Sequence, residues 1–270
     1  VDVWIESERP LYTLPCAEPT AVEHAIAGFA LRYIPDGATL QTGIGVIPSA
    51  IAALLAEGGG SGYGVHSEMF TDGLMRLHEE GKVTNAGKGQ FDGLSIATFA
   101  MGSEALYRWL HENREVAFLP VDVVNSPHVI AGNAKMIAIN GALAIDIHGQ
   151  VVADTIDGDQ FSGIGGAEDF VAGPGLQLDQ RSLICLPSTA IVGGEQRSRI
   201  VPWFDAGTVV TTPRHHADVV ITEYGAAELE AKTVHQRGEA LAAIAHPDYR
   251  DELLEAAARA SRGRSPRTGH

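Results

Sequence analysis

Glu68 is the side chain whose place in the chain best suits covalent chemistry. It stands in the run GVHSEMFTDG, between a short apolar segment and a predicted helix that begins at Asp72-Gly73. Open α/β sheets place their ligands just beyond the carboxyl ends of strands. A partly desolvated carboxylate can attack an acyl donor and form a mixed anhydride. We therefore predict that Glu68 is a nucleophile, although on position alone a solvated surface glutamate is the more common case. His66 can be its partner or a histidine of the core.

Two glycine turns can present backbone amides to a substrate. Gly43-Ile44-Gly45 lies between a predicted strand and a predicted helix, where N–H groups suit an anion or a thioester oxygen. Pro48 replaces the third glycine of a dinucleotide fingerprint, which argues against a nicotinamide enzyme. The run FSGIGG, with Gly163, Gly165 and Gly166, can supply an oxyanion-hole donor worth ~3 kcal/mol. Ordinary connecting turns would use the same glycines.

A few further side chains are candidates for binding. Asn125, before Ser126-Pro127, can cap a helix or reach a substrate carbonyl. Arg197, Arg199 and the run Arg214-His215-His216 can bind a carboxylate or phosphate, or belong to surface ion pairs. The sequence has no spacing typical of a metal site, a G-x-S-x-G elbow or a C-x-x-C pair, so we predict no metal, serine hydrolase or redox centre.

Composition limits the class of protein. The chain has 270 residues, of which 45% are apolar and 20% charged, as in ordinary soluble domains. Its net charge of −15 is spread along the sequence, which argues against binding nucleic acid. No apolar run approaches the ~20 residues that cross a bilayer, and the N-terminus does not resemble a signal peptide. Cys16 and Cys185 lie far apart, which favours a reduced, cytoplasmic compartment.

The elements that must position these residues alternate between strands and helices in the first half. This pattern predicts an α/β fold with a mainly parallel sheet flanked by helices. The middle predicts a β-hairpin-rich insertion, and residues from Ala226 to about Ala260 a helical region. We expect a lead-in segment at 1–18, one domain at 19–260 and a disordered tail at 261–270. The predicted strands are 38–42, 63–66, 94–100, 116–121, 136–139, 143–147, 151–154, 182–186, 199–201, 208–212 and 219–222.

The ordered motifs of the chain resemble the acetyl-CoA hydrolase/transferase family, in the class I CoA-transferases close to 4-hydroxybutyrate CoA-transferase. The joint match is far more specific than any single turn, and it corresponds to the C-terminal half of the family enzymes. Those enzymes carry an additional N-terminal domain of similar fold. The runs that carry the resemblance, in family order over nearly the whole chain, are GIGVIPSAI, GVHSEMFTDG, PVDVVNSP, MIAINGAL, HGQVVAD, FSGIGGAEDF, LPSTA, SRIVP, VTTPRHHADVVITEYGAAEL and IAHPDYRDEL.

The resemblance implies a ping-pong mechanism on Glu68, which stands at the glutamate of the family's [ST]-E-M/V-x-x-D motif. This glutamate attacks the acyl-CoA thioester to form an anhydride. CoA thiolate returns to give a glutamyl-CoA thioester, which an acceptor carboxylate then attacks. CoA and acyl-CoA enter as substrates, and no permanently bound cofactor is implied. The resemblance also implies that glycines line the CoA and oxyanion region and that an asparagine contacts the substrate, here Gly43, Gly45, Gly163, Gly165, Gly166 and Asn125.

The chain departs from the family pattern in two places. Ala144 stands where family members commonly have Glu, and Ala167-Glu168 where they commonly have Gln-Val. Because only the C-terminal half is matched, we expect a homo-oligomer or a partner subunit that supplies the N-terminal half. We expect no nucleic-acid or membrane partner. Two alternatives stay open: acyl-CoA hydrolysis, in which water reaches the Glu68 intermediate, and a non-catalytic CoA-binding subunit.

Overall fold

A computed structural model describes residue 3 and residues 5–14, 17–156, 158–174 and 177–261. Its helices are α1 (Ala21–Ala30), α2 (Val46–Glu57), α3 (Asp72–Glu79), α4 (Glu104–Leu110), α5 (Val121–Val124), α6 (Pro127–Ala131), α7 (Ala167–Ala172), α8 (Val234–Ile244) and α9 (Arg250–Ser261). Its strands are β1 (Thr39–Thr42), β2 (Gly64–Val65), β3 (Met69–Phe70), β4 (Ser95–Ala97), β5 (Phe99–Ala100), β6 (Val116–Phe118), β7 (Met136–Gly141), β8 (Ala144–Asp146), β9 (Val151–Val152), β10 (Thr155–Ile156), β11 (Asp159–Gln160), β12 (Arg181–Cys185), β13 (Thr189–Val192), β14 (Glu195–Ser198), β15 (Ile200–Val201), β16 (Val219–Thr222) and β17 (Gly225–Glu228).

The central sheet has the strand order β17-β16-β12-β7-β1-β2. All neighbouring pairs are parallel except β16 and β17. A parallel bridge between His66 and Ile96 continues the sheet to β4, which pairs with β6. The predicted α/β fold with a mainly parallel sheet is therefore confirmed.

Helices cover both faces of this sheet. On one face, Ile26 of α1 and Ile51 of α2 pack in a core with Leu183. On the other, Leu241 of α8 packs in a second core with Ile184. Strands β1 and β16 are buried along their whole length, as is typical of parallel strands between two helical layers.

The segment around Glu68 is more divided than the sequence indicates. The predicted strand 94–100 is two strands, β4 and β5, and β5 pairs with β3 between Glu68 and α3. The predicted strand 116–121 ends at Phe118, because Pro120, which cannot donate to a ladder, begins α5. Thr20 begins α1 with a capping box that it forms with Glu23.

The prediction of a hairpin meander through 136–154 is wrong for its first strand. Residues 136–141 form β7, which lies between β1 and β12 near the middle of the parallel sheet. Within 136–154, β8 and β9 form an antiparallel hairpin, and β15 joins β8 in parallel. A short apolar run fits a hairpin strand and a buried parallel strand equally well, so periodicity does not distinguish them.

The helical prediction from Ala226 is also wrong at its start. Residues 225–228 form β17, an antiparallel edge strand that returns along β16, and α8 begins only at Val234, behind a capping box from Thr233. The predicted strand 208–212 is irregular and forms a single bridge, from Thr212 to Val151. In both segments the pairing overrides local propensity: residues 225–228 pair with the strand just before them, and Thr212 pairs with Val151 far along the chain.

The ends of the chain are described in part. Residues 5–14 form no helix or strand, and they lie against α4 through bonds from Leu14 N to Gly102 O and from Tyr107 to Tyr12 O. The predicted disordered tail lies outside the described residues from 262 onward, and so does Cys16. Among the helices described, none combines the length and apolarity that a bilayer crossing requires.

Helices α8 and α9 approach so closely that a methyl group does not fit between them. A Cβ at Gly238 would lie 2.5 Å from Ala257 Cβ, whereas a Cβ at Gly28 of α1 would meet nothing within 4 Å. We expect Gly238→Ala to lower the free energy of unfolding by about 1–3 kcal/mol through overpacking. The matched Gly28→Ala should raise it by about 0.5–1 kcal/mol, because alanine favours a helix. Urea unfolding of both variants checks this, and equal signs would contradict the close packing.

Candidate active site

The backbone around Glu68 is fixed by bonds to both neighbouring strands. Ser67 N donates to Ile96 O at 3.0 Å, and Glu68 O accepts from Thr98 N at 2.8 Å and Phe99 N at 3.2 Å. These bonds follow β2 directly, so the side chain of Glu68 leaves the carboxyl end of the sheet from a constrained position. The residue is half-buried.

The Glu68 carboxylate contacts the second glycine turn. Gly166 N donates to Glu68 Oε2 at 3.0 Å. Gly166 is the residue that precedes α7, and a Cβ there would overlap Asn125 Nδ2 and lie 2.5 Å from Glu68 Oε2. Only glycine therefore allows this approach.

Asn125 completes the contact from a third segment. It ends α5, and it is 7% exposed. Its Nδ2 donates to Asp169 Oδ2 on α7 at 3.2 Å, and its buried Oδ1 has no partner among the described residues. Asn125 thus caps no helix N-terminus, and it lies where its side chain approaches both Gly166 and Asp169.

His66 lies in the core beside this cluster. Its Nε2 is 2.8 Å from Val124 O, and its ring stands between Phe91 and Phe170, with centroids 6.5 Å and 6.1 Å away. Because a carbonyl only accepts, Nε2 carries the proton. Burial lowers the pKa of His66 to about 4, so the ring is neutral near pH 7. The structure supports the core interpretation of this histidine.

The first glycine turn lies beside the Glu68 segment. Ser67 Oγ donates to Thr42 O at 3.3 Å, immediately before the turn. Gly45 precedes α2 with φ +126°, a conformation that favours glycine. Gly43 and Gly45 line a cavity of about 240 Å³ together with Thr71 and Asp72 of the Glu68 segment; the other lining residues are Leu14, Ala17, Ile44, Val46, Ser49, Met101 and Gly102.

The second glycine turn divides into a buried end and an exposed tip. Gly163 and Gly165 are exposed, and a Cβ at either would meet nothing within 4 Å of the described atoms. Ile164 between them is 66% exposed and Phe161 is 71% exposed. Of the three glycines singled out in this turn, Gly166 is the one in contact with Glu68.

The candidate cations have other contacts. Arg197 forms an exposed ion pair with Glu195, and Arg199 donates weakly to Ala142 O at 3.4 Å. In the third group, Arg214 O accepts from Arg237, and His216 binds Glu168. Ala144, at one of the two departures from the family pattern, lies in β8 and pairs with Val152 of β9.

Sequence reasoning missed two residues beside the site. Lys88 is 2% exposed, and its Nζ donates to Val65 O at 2.9 Å and Leu94 O at 2.6 Å. Burial lowers the pKa of this ammonium group to about 8. Asp169 binds Asn125 from the first turn of α7. A lysine in a glycine-rich loop carries no sequence signal for burial, whereas an acidic residue after a glycine pair is a sign of a helix start.

Among the described residues, no group of three or more His, Cys, Asp or Glu side chains is arranged to hold a metal ion. Cys185 is buried, and burial raises the pKa of its thiol to about 12. A thiol with so high a pKa is inert near neutral pH.

His66 should make the fold sensitive to acid. The unfolded chain binds a proton near pH 6.5, and the folded chain binds it only near pH 4, so stability is lost as the pH falls from about 6.5 toward 4. The total loss from this group is about 3 kcal/mol. Urea unfolding between pH 7 and 4 should show a smaller acid loss in His66→Gln than in the unsubstituted chain. The exposed His24→Gln controls for the loss of an imidazole, and an unchanged acid loss in His66→Gln would contradict burial of a neutral ring.

The chain is similar to known proteins over most of its length. The acetyl-CoA hydrolase/transferase C-terminal domain matches residues 102–257. The chain is 41% identical over 254 residues to 4-hydroxybutyrate coenzyme A transferase of Clostridium kluyveri, covering 94% of this chain and 58% of that protein. It is 43% identical to succinyl-CoA:acetate/propanoyl-CoA:succinate CoA transferase of Fasciola hepatica, covering 92% of this chain and 52% of that protein.

The fold of the chain is similar to that of a solved structure. The crystal structure of RipA from Yersinia pestis superposes with a TM-score of 0.86 at 37% identity, over 93% of this chain and 56% of that one. The chain therefore spans little more than half the length of the proteins that it matches.

Proposed function

The chain belongs to the acetyl-CoA hydrolase/transferase family, and from this premise we propose that it is the catalytic half of a CoA-transferase. The enzyme moves CoA between an acyl-CoA and a small carboxylate. The observation that carries the proposal is the contact between the half-buried Glu68 carboxylate and the Gly166 amide. CoA and acyl-CoA are substrates in this scheme rather than bound cofactors. We propose a cytoplasmic location for the enzyme.

The reaction proceeds through four acyl transfers on Glu68. The carboxylate attacks the thioester carbonyl, and CoA thiolate leaves to give an acyl-glutamyl anhydride. The thiolate then attacks the glutamyl carbonyl, which releases the first carboxylate and leaves a glutamyl-CoA thioester. An acceptor carboxylate attacks that thioester and releases the thiolate, which finally attacks the new acyl carbonyl. Glu68 is regenerated, and no net proton is consumed.

The Gly166 amide has two successive roles in this scheme. In the free enzyme it orients Glu68 by donating to Oε2. If Oε1 is the attacking atom, Oε2 becomes the glutamyl carbonyl oxygen of the intermediates. The same N–H then faces the oxygen on which negative charge develops when thiolate or carboxylate attacks. A fixed donor of this kind is an oxyanion-hole element.

Asn125 and the first glycine turn bind the substrate. Nδ2 of Asn125 lies beside Gly166, where it can donate to a passing substrate carbonyl or carboxylate. The cavity at Gly43 and Gly45, beside the Glu68 segment, would receive the thioester end of acyl-CoA, and α2 begins at its edge. Gly163 and Gly165, on the exposed tip of the second turn, would line the outer part of the CoA path.

Transferase activity is favoured over hydrolysis by the relatives. The proteins at 41% and 43% identity are named as CoA transferases, whereas the family description includes hydrolases. The chain spans 58% and 52% of these relatives, and we propose that the active enzyme joins it to a complementary half and that the assembly is a homo-oligomer or includes a separate subunit. Size measurement and pull-down with that half test this assembly.

The nucleophile can be trapped directly. With the complementary half and acyl-CoA present, borohydride or hydroxylamine should modify Glu68, and peptide mass spectrometry should locate the change there. Glu68→Gln should lose at least about 10³-fold in turnover, because the amide cannot form the covalent intermediate. The exposed Glu57→Gln is the matched control and should keep full activity. Modification at another residue, or retained turnover in Glu68→Gln, would rule out this mechanism.

The space at Gly166 is testable with a paired substitution. Gly166→Ala places a methyl group against Asn125 and Glu68, so turnover should fall by about 10²-fold or more through loss of the amide donor. Gly59→Ala, in the loop after α2 and in open space, should change turnover by less than about threefold. Thermal unfolding of both variants separates a local effect from a loss of fold. Equal activity of the two variants would exclude the proposed role of Gly166.

A further inference from the structure

Helix α7 carries several of the contacts that define the candidate site. Gly166 at its start donates to Glu68, Asp169 in its first turn accepts from Asn125, and Phe170 packs beside His66. A small movement of α7 would therefore alter the geometry around Glu68 as a unit.

The position of this helix is not determined by the helix itself. It has six residues, fewer than an isolated helix needs, and no side chain caps its N-terminus. Packing and tertiary hydrogen bonds must fix it. Phe170 anchors one side in the core with Ile130 and Ala138.

Glu168 supplies a contact on another side of the helix. Its Oε1 lies 2.5 Å from His216 Nδ1, and the two side chains are 31% and 30% exposed. His216 stands on the segment before β16, where its own N donates to Pro213 O. Nδ1 can donate whether the ring is neutral or protonated, so the link needs no particular charge on His216.

We propose that Glu168 and His216 are positioning residues that hold α7 so that the Gly166 amide stays on Glu68. Neither residue contacts Glu68 in the described contacts, and both act through the helix. Glu168 belongs to one of the two departures from the family pattern. The consequence for catalysis rests on the proposed function, whereas the consequence for the Gly166 amide does not.

Amide hydrogen exchange measures the positioning without any turnover. In Glu168→Ala and in His216→Ala, protection of the Gly166 amide should fall by about tenfold, while amides of β1, β7 and β16 keep theirs. The double variant should lose no more than either single one, because both remove the same contact. Exchanging the pair, as Glu168→His with His216→Glu, should restore part of the protection. Glu57→Gln, which removes an exposed ion pair with Arg76, should change nothing at Gly166.

Kinetics with the complementary half provide the second readout. A displaced helix should lower kcat by about tenfold and leave KM within about twofold, because misplacement of a reacting group acts on the chemical step. Unchanged protection of Gly166 in both single variants overturns the proposal, and so does a uniform loss of protection across the sheet, which would mean general destabilisation. If Glu68 is never acylated in the unsubstituted enzyme, the proposed function fails, and the exchange data still decide the positioning.

Discussion

One hydrogen bond, from the Gly166 amide to the Glu68 carboxylate, is the contact on which the arrangement of the site depends. It joins residues 98 positions apart in the chain. The parallel sheet makes this possible, because the carboxyl ends of β1, β2 and β7 meet at one edge. Helix α7 packs against β7, β12 and α6 and begins at that edge. A single missing Cβ then decides whether the amide reaches the carboxylate.

The polar groups buried near the site restrain its backbone. Lys88 binds the carbonyls of Val65 and Leu94, and His66 binds that of Val124. Burying an ammonium group or an imidazole costs free energy that an apolar side chain would not, and these bonds offset part of that cost. In return, the segment before Glu68 is tied to two neighbouring segments. Under the proposed function, such restraint would keep Glu68 oriented before substrate arrives, and orientation of this kind supplies much of enzymatic rate enhancement.

Local sequence signals predict part of the secondary structure, and pairing between strands determines the remainder. The strand prediction for 219–222 rests on a local apolar run and is confirmed as β16. The place of β7 in the sheet depends on partners far along the chain and is missed. Strand β17 is missed because its Ala and Glu residues favour a helix, although the segment returns directly along β16. In the site, Glu68 and Gly166 were singled out separately, but nothing local indicates that they touch. The sequence gives no sign that Lys88 is buried, because its burial follows from the strands around it.

In the proposed reaction, exclusion of water separates CoA transfer from hydrolysis. Among the described residues near Glu68, the second glycine turn is partly open to water. Glu68 is half-buried, and Gly166 beneath it is buried, yet Ile164 and Phe161 of the same turn face solvent. A carboxylate becomes a strong nucleophile only when water leaves it, and an anhydride survives only when water stays away. The exposed apolar tip can exclude water only if another surface covers it. Under the proposed function, a complementary half like that of the longer relatives would thus govern reactivity and product choice through the same contact, while this half would orient Glu68 as the proposed nucleophile.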